Sequence, residues 1–324
     1  MRAWQVTAHG EPADVLRLVD VDEPEPLPGH VRVRVEAAAI GMPDVFMCRN
    51  TYAFQPPLPF VAGQEVCGLV DAVGEGADVP LGARVMGVTA FYAGQGGFAE
   101  ASVLQAATAF RVPDEMSAVD AAGFRIGFST AWVGLVRRGQ LAAGETLAVL
   151  GAAGGSGITA VQLGAALGAR VVAVASGEAK ADLCRRLGAE VVVDRSSEDV
   201  TEAILDATDG KGADLVYDPV GGETAAQALA ALATGGRFLA VGFGSGEWVR
   251  AETHELVLRN QSLVGVYAGG HTREEDEADH EALLDLFARG RLQPFATAHA
   301  FEDLPTAISA VADGSAVGKQ VLVL

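Results

Sequence analysis

The sequence predicts an α/β protein. One part is a doubly wound, six-stranded parallel sheet, and a mainly antiparallel β domain accompanies it. Three observations carry this reading. Six apolar runs recur between residues 146 and 267, each followed by a helix-like stretch. Those runs are apolar along their whole length, as expected of strands covered on both faces. Up to about residue 110 the texture differs: short β-like runs are broken by Gly and Pro, as in PEPLPGH and QPPLPF.

Taken in order, VRVRVE at 31–36 alternates apolar and charged side chains, the period of a half-buried strand. The texture changes near residue 120. From there the strands are TLAVLG (146–151), RVVAVA (170–175), EVVVD (190–194), DLVYD (214–218), RFLAVG (237–242) and SLVGVY (262–267). Helices are expected near 155–168, 178–187, 198–207, 223–234 and 252–260. This alternation builds a parallel sheet with right-handed crossovers. The acidic run EEDEADHE (274–281) opens an amphipathic helix around 279–289, where carboxylates suit the positive end of the helix dipole. The chain closes on a strand-like VLVL.

The 324 residues carry 42 acidic and 23 basic side chains, a net charge of −19. That balance argues against nucleic acid as a partner and against docking on an anionic membrane. The basic side is almost all arginine, with Lys180, Lys211 and Lys319 the three lysines. Three scattered cysteines, Cys48, Cys67 and Cys184, make no disulfide framework and point to a reducing cytoplasm. The N-terminal MRAWQVTAHGEP has no apolar signal core. The long uncharged run Thr146–Ala169 is glycine-rich and divides into strand, turn and helix, so no membrane span is expected.

The informative motif is GAAGGSG at 151–157, directly after the first parallel strand and directly before an apolar helix. That context identifies a dinucleotide turn. Gly154 lets the backbone approach a pyrophosphate, Gly157 lets the helix pack closely on the sheet, and the amides around Gly155 and Ser156 face the phosphates. The same heptad fits the short-chain dehydrogenase pattern GxxxGxG. However, none of the tyrosines has Lys four residues on, which rejects that assignment. Binders of NAD usually close the second strand with an acid on the ribose. Here that strand ends in Ala175-Ser176-Gly177, with Lys180 one helical turn on and Arg195 after the third strand. A hydroxyl and two cations suit a 2′-phosphate, so the expected cofactor is NADPH.

These residues resemble the zinc-free quinone oxidoreductase (zeta-crystallin-like) branch of the medium-chain dehydrogenase/reductase superfamily. The resemblance runs end to end: PLPFVAGQEVCGLVDAVGEGA (57–77), STAWVGL (129–135), GETLAVLGAAGGSGITAVQLGAALGARVVAVAS (144–176), KADLCRRLGA (180–189), YDPVGG (217–222) and GKQVLVL (318–324). It implies a GroES-like catalytic domain at 1–122 plus 270–324 and a Rossmann NADPH-binding domain at 123–269. It also implies that Thr130, the 154–157 turn, Ser176, Lys180, Arg195, Val220, Phe243 and Lys319 line the NADPH site. The zinc-dependent branch has Gly-His-Glu where this chain reads Gly63-Gln64-Glu65, and neither three cysteines nor six unpaired histidines offer a ligand set, so no metal is expected. One departure stands out. The family's Asn in a run like AIGxNxxD falls here on Gly41 of AIGMPD.

The implied reaction is NADPH-dependent reduction of a quinone or similar conjugated carbonyl. Tyr52 is the candidate wall or proton donor, since related enoyl reductases use a Tyr at this position, and Phe46 is expected to stack nearby. Gln64 is the candidate hydrogen-bond donor to a substrate oxygen. Two alternatives stay open: reduction of an enone or 2-enoyl thioester, and a non-enzymatic NADPH-binding protein, which the missing Asn favours. The apolar strand SLVGVYAGG (262–270) is expected at the edge of the sheet, where it would pair across a homodimer. Lys180, Arg195 and Lys319 together predict an electropositive cofactor site in an acidic protein.

Overall fold

A computed structural model describes all 324 residues. In chain order the strands are β1 (Arg2–Val6), β2 (Leu16–Asp20), β3 (His30–Ile40), β4 (Phe60–Val61), β5 (Glu65–Val73), β6 (Arg84–Thr89), β7 (Ala101–Arg111), β8 (Thr146–Leu150), β9 (Arg170–Ala175), β10 (Val191–Asp194), β11 (Ala213–Asp218), β12 (Leu232–Ala240), β13 (Ser262–Gly265), β14 (Ala296–Ala300) and β15 (Lys319–Val323). The helices are α1 (Pro12–Val15), α2 (Met42–Cys48), α3 (Ala118–Trp132), α4 (Gly157–Ala166), α5 (Glu178–Arg186), α6 (Val200–Ala207), α7 (Gly222–Ala230), α8 (Thr253–Arg259), α9 (Arg273–Ala288) and α10 (Leu304–Ala312). Two compact units separate: Met1–Ile126 with Pro294–Leu324, and Gly127–Gln293.

In the first unit, β3 pairs with β5 and also with β7, so the sheet β14-β15-β3-β5-β6-β7 curls back on itself. The period-2 pattern of VRVRVE is realised in β3. Val31, Val33 and Val35 are buried with Phe60, Phe98, Leu104, Phe301 and Leu322. Burying each such side chain contributes about 1.5–3 kcal/mol. Arg32 and Arg34 alternate outward, and both reach Asp71.

The second unit carries the expected doubly wound sheet, in the order β10-β9-β8-β11-β12-β13, with every pairing parallel. The order reverses between β8 and β11. Ligands of such sheets bind beyond the carboxyl ends of the strands at that point. Several boundaries differ from the sequence reading, two of them at the far edge of the sheet. β12 starts at Leu232, which pairs with Ala213, so the helix expected to 234 stops at Ala230. β13 ends at Gly265.

Besides the four-residue α1, three helices escaped the sequence reading. α3 is apolar on nearly every side, so no stripe of period 3.6 marks it. α2 is seven residues long, and α10 nine. The second crossing between units also moves, from about 270 to 293/294. The acidic helix α9 belongs to the parallel-sheet unit because Arg137 pairs with Asp279 at 2.6 Å and lies 3.7 Å from Glu275. Beyond α9, Arg291 donates to the Ala166 carbonyl, and the Gln293 amide donates to Gln162.

No helix is long and apolar enough to cross a membrane, and the run Thr146–Ala169 resolves into β8, a turn and α4. All three cysteines are unpaired and buried. Burial pushes the Cys48 and Cys67 thiols up to about 12 and the Cys184 thiol to about 11.

Candidate functional site

The glycine-rich turn joins β8 to α4. Gly151 holds φ at +57°, and a Cβ there would sit 2.8 Å from the Val220 Cγ2. A Cβ on Gly157 would collide with the Gly151 carbonyl, which is the close helix–sheet approach the motif predicts. A Cβ on Gly154 would touch only the Gly151 carbonyl, at 3.3 Å, leaving the space beyond it open. α4 begins at Gly157, so the amides of Gly155, Ser156 and Gly157 precede its first intrahelical bonds. Open space over Gly154 and a ring of forward-facing amides fit a pyrophosphate.

Two contacts fix the turn from behind. The Ser156 hydroxyl lies 3.0 Å from the phenol oxygen of Tyr217, a fully buried ring whose pKa burial raises. The Thr159 hydroxyl donates to the Gly127 carbonyl at 3.0 Å, holding α3 beside α4. Thr130 lies one turn further along α3 and is half-buried.

At the end of β9, Ser176 is half-buried, and the Arg195 amide donates to the Ala175 carbonyl at 2.9 Å. Ser176 and the exposed Arg195 are therefore neighbours, and half-buried Lys180 sits in the first turn of α5. Sequence reasoning missed a fourth group here. Asp194 ends β10 opposite Ala175, and its Oδ1 accepts from the Gly177 amide at 3.3 Å and from the amide and hydroxyl of Ser196. The Ser196 hydroxyl, the Ser196 amide and the Gly177 amide hold this carboxyl below the usual range. β9 itself brings no acid; its neighbour supplies one. Parallel register, in which two adjacent strands end level, was the signal that would have found it.

The loops after β11 and β12 are tied together. The Gly244 and Ser245 amides donate to the Pro219 and Val220 carbonyls, and the Gly222 amide donates to Glu247. Asp218 is fully buried and anchors the first loop. Its Oδ1 accepts from the Val220 and Gly221 amides, both at 2.8 Å, while Oδ2 has no partner. Burial pushes its carboxyl up to about 6. Val220 thus packs against the Gly151 side of the turn, and Phe243 stacks on Trp248 at 4.7 Å between ring centroids.

The first unit gathers the other candidates. Asp44, in α2, is 1% exposed. Its Oδ2 accepts from the Gly41 amide at 2.8 Å and its Oδ1 from the Gly63 amide at 3.1 Å. Burial drives this carboxyl up to about 6, against the opposing pull of those amides and of Lys319. Gln64 is 7% exposed, and its Nε2 has no hydrogen-bond partner. Glu65 accepts the Ile126 amide at 2.6 Å through Oε1, and its Oε2 lies 3.2 Å from the Lys319 ammonium. Lys319, expected at the cofactor, is therefore nearly buried and ion-paired inside the β unit. Gly41, at the family's Asn position, would direct a Cβ to 3.8 Å from Asp44 Oδ2 and 4.0 Å from Lys319 Nζ. Tyr52 is half-buried, edge-on to Phe54 at 6.0 Å and 6.3 Å from Phe91. Phe46 is buried in the same unit. No group of three or more His, Cys, Asp or Glu side chains is placed to hold a metal ion.

Comparison with known proteins agrees with both halves of this picture. Residues 27–114 match the family described as "Alcohol dehydrogenase GroES-like domain", and residues 155–289 match "Zinc-binding dehydrogenase". A quinone oxidoreductase-like protein 2 homolog from Nematostella vectensis is 33% identical over 268 residues, which is 81% of this chain and 72% of that protein. A mycobacterial protein solved in complex with NADPH superposes with a TM-score of 0.91 at 29% identity, over 100% of both chains. The Escherichia coli quinone oxidoreductase, also solved with NADPH, gives a TM-score of 0.91 at 25% identity over 100% of both chains. With a dinucleotide-type turn on a doubly wound sheet and a GroES-like β unit beside it in sequence, this chain belongs to the zinc-free quinone oxidoreductase branch of the medium-chain dehydrogenase/reductase superfamily.

Proposed function

We propose that this chain is an NADPH-dependent oxidoreductase that reduces a quinone or a similarly conjugated carbonyl. The observation that carries the cofactor half is the open backbone over Gly154, followed by forward-facing amides on α4. Bound NADPH supplies the hydride. The chain's own residues bind and orient. The turn amides take the pyrophosphate, Ser176, Lys180 and Arg195 take the 2′-phosphate, and Val220 and Phe243 lie along the same carboxyl edge of the sheet. In the β unit, the unpaired Gln64 Nε2 donates to the acceptor's carbonyl oxygen, and the Tyr52 hydroxyl delivers the proton that completes the product. Relatives solved with NADPH support the cofactor assignment, and the quinone oxidoreductase names among relatives support the acceptor class.

The decisive experiment follows NADPH oxidation optically against a panel of quinones, enones and enoyl thioesters. Quinone turnover is expected. Turnover of enones alone would move the assignment to an enone reductase, and tight NADPH binding with no acceptor at all would make this a binding protein. For the cofactor, Lys180→Ala with Arg195→Ala should weaken NADPH on the order of 30-fold, the equivalent of about 2 kcal/mol of charge-assisted bonding, and leave NADH within about twofold. Tyr52→Phe should lower turnover; unchanged turnover would remove Tyr52 as donor.

The chain is also proposed to form a homodimer. β13 pairs only with β12, so its other edge is open. Leu263 on that strand is exposed, as are Tyr267 just beyond it and Val257 and Leu258 on α8. An open apolar edge invites antiparallel pairing with its own copy. A monomer mass by light scattering at micromolar concentration would refute it.

A further inference from the structure

The carbonyls of the 62–64 turn are all taken. The Ala62 carbonyl accepts the Phe98 amide at 2.9 Å. The Gly63 carbonyl accepts the Gly97 amide at 2.8 Å and the Thr89 hydroxyl at 2.7 Å. The Gln64 carbonyl accepts the Thr89 amide at 2.9 Å. The Gly63 amide goes to Oδ1 of Asp44, whose second oxygen takes the Gly41 amide. Gly63 itself sits at φ +105°, with no room for a Cβ beside the Phe98 amide. Within this fixed frame one buried donor, Gln64 Nε2, is left unmatched. An unmatched buried donor is destabilising and a buried carboxylate more so, so both groups are kept against stability.

We propose that Asp44 is a positioning residue for the acceptor: by gripping the start of α2 with one oxygen and the 63–64 turn with the other, it holds the Gln64 amide as a preorganised donor for the acceptor's carbonyl oxygen. This rests on the acceptor role proposed for Gln64 above. The grip needs a carboxylate. Asparagine has one accepting oxygen and would turn its NH2 toward a backbone N–H. Protonation does the same with an O–H. The charged and titratable groups facing Asp44 are Lys319 on β15, with its partner Glu65 on β5, and Cys48 on its own helix. Of these, Lys319 favours the ionised form. With Asp44 titrating near 6, the grip is complete above that pH and relaxes below it.

The signature separates positioning from mere stability. A carboxyl whose folded pKa is raised contributes stability that is fully present below its unfolded pKa and is lost as pH rises through about 6. Acceptor binding should move the other way and improve over the same interval. In the full-length protein with NADPH saturating, the acceptor KM should rise about tenfold as pH falls below 6, with kcat changing less. Asp44→Asn should hold KM flat at the raised value, about tenfold above wild type at neutral pH and equal to it below pH 6, while the NADPH Kd stays within about twofold. Gln64→Ala should also abolish the limb, and the double variant should be no worse than either single one. An unchanged KM in Asp44→Asn, additive effects in the double variant, or a pH limb that survives Gln64→Ala would overturn the proposal. Gln64→Ala decides the matter even where Asp44→Asn fails to fold. Absence of wild-type turnover would count against the proposed reaction alone. The positioning role is then read from the 15N shift of the Gln64 side-chain amide, which should titrate near pH 6 in the wild type; a flat shift would overturn it.

Discussion

The glycine turn of the parallel-sheet unit and the Asp44–Gln64–Glu65–Lys319 cluster of the β unit are built on opposite principles. The turn is local. Seven consecutive residues supply its curvature, its amides and its helix packing, and most of the relevant atoms are backbone. The cluster is assembled from α2, the 62–65 turn and β15, so its side chains come together only through the fold. The turn is built by what glycine leaves out, and the cluster by what buried side chains are made to hold. A motif search therefore finds the first and overlooks the second.

Substituting the turn should give the largest effect. Gly157→Ala places a Cβ against the Gly151 carbonyl, and it should cost about 3 kcal/mol of stability and abolish NADPH binding, read by thermal melting and fluorescence titration. Gly154→Ala meets only the Gly151 carbonyl at 3.3 Å, so it should fold normally and lose cofactor affinity alone. If the two variants behave alike, the division of labour between the glycines is wrong. A smaller effect is expected at the 2′-phosphate end. Asp194 places a negative charge near Ser176 and Arg195, and Asp194→Asn should favour NADPH over NADH by about fivefold. A shift toward NADH would show instead that Asp194 serves the cofactor by ordering the Gly177 turn. The smallest effect should come from Tyr217→Phe. It removes the bond to the Ser156 hydroxyl and should cost about 1 kcal/mol in a denaturant titration, with little change in NADPH affinity.

The same contrast explains what the sequence disclosed. The six parallel strands were legible because each is apolar throughout and followed by a helix, and β9 was placed to the residue at 170–175. The turn's glycines were legible because motif and context coincide within one strand–helix unit. α3 was not, because a helix buried on nearly every side has no polar face to give it a period. Asp194 was hidden because its relevance depends on which strand lies beside β9. Lys319 was legible as important but not as Glu65's partner, since that pair joins residues far apart in the chain. Asp44 entered the sequence reading only as the last residue of AIGMPD, and only the folded chain shows the Gly63 amide on its Oδ1.

The buried cysteines have a consequence for the proposed chemistry. Quinones are electrophiles that arylate thiolates, and a protein that handles them is exposed to damage by its own substrate. Here all three sulfurs are out of reach of solvent, and their ionised forms are disfavoured well beyond neutral pH. The fold therefore presents no nucleophilic sulfur to a passing quinone, and the chain should keep its activity through repeated turnovers that would progressively alkylate a protein with one exposed thiol.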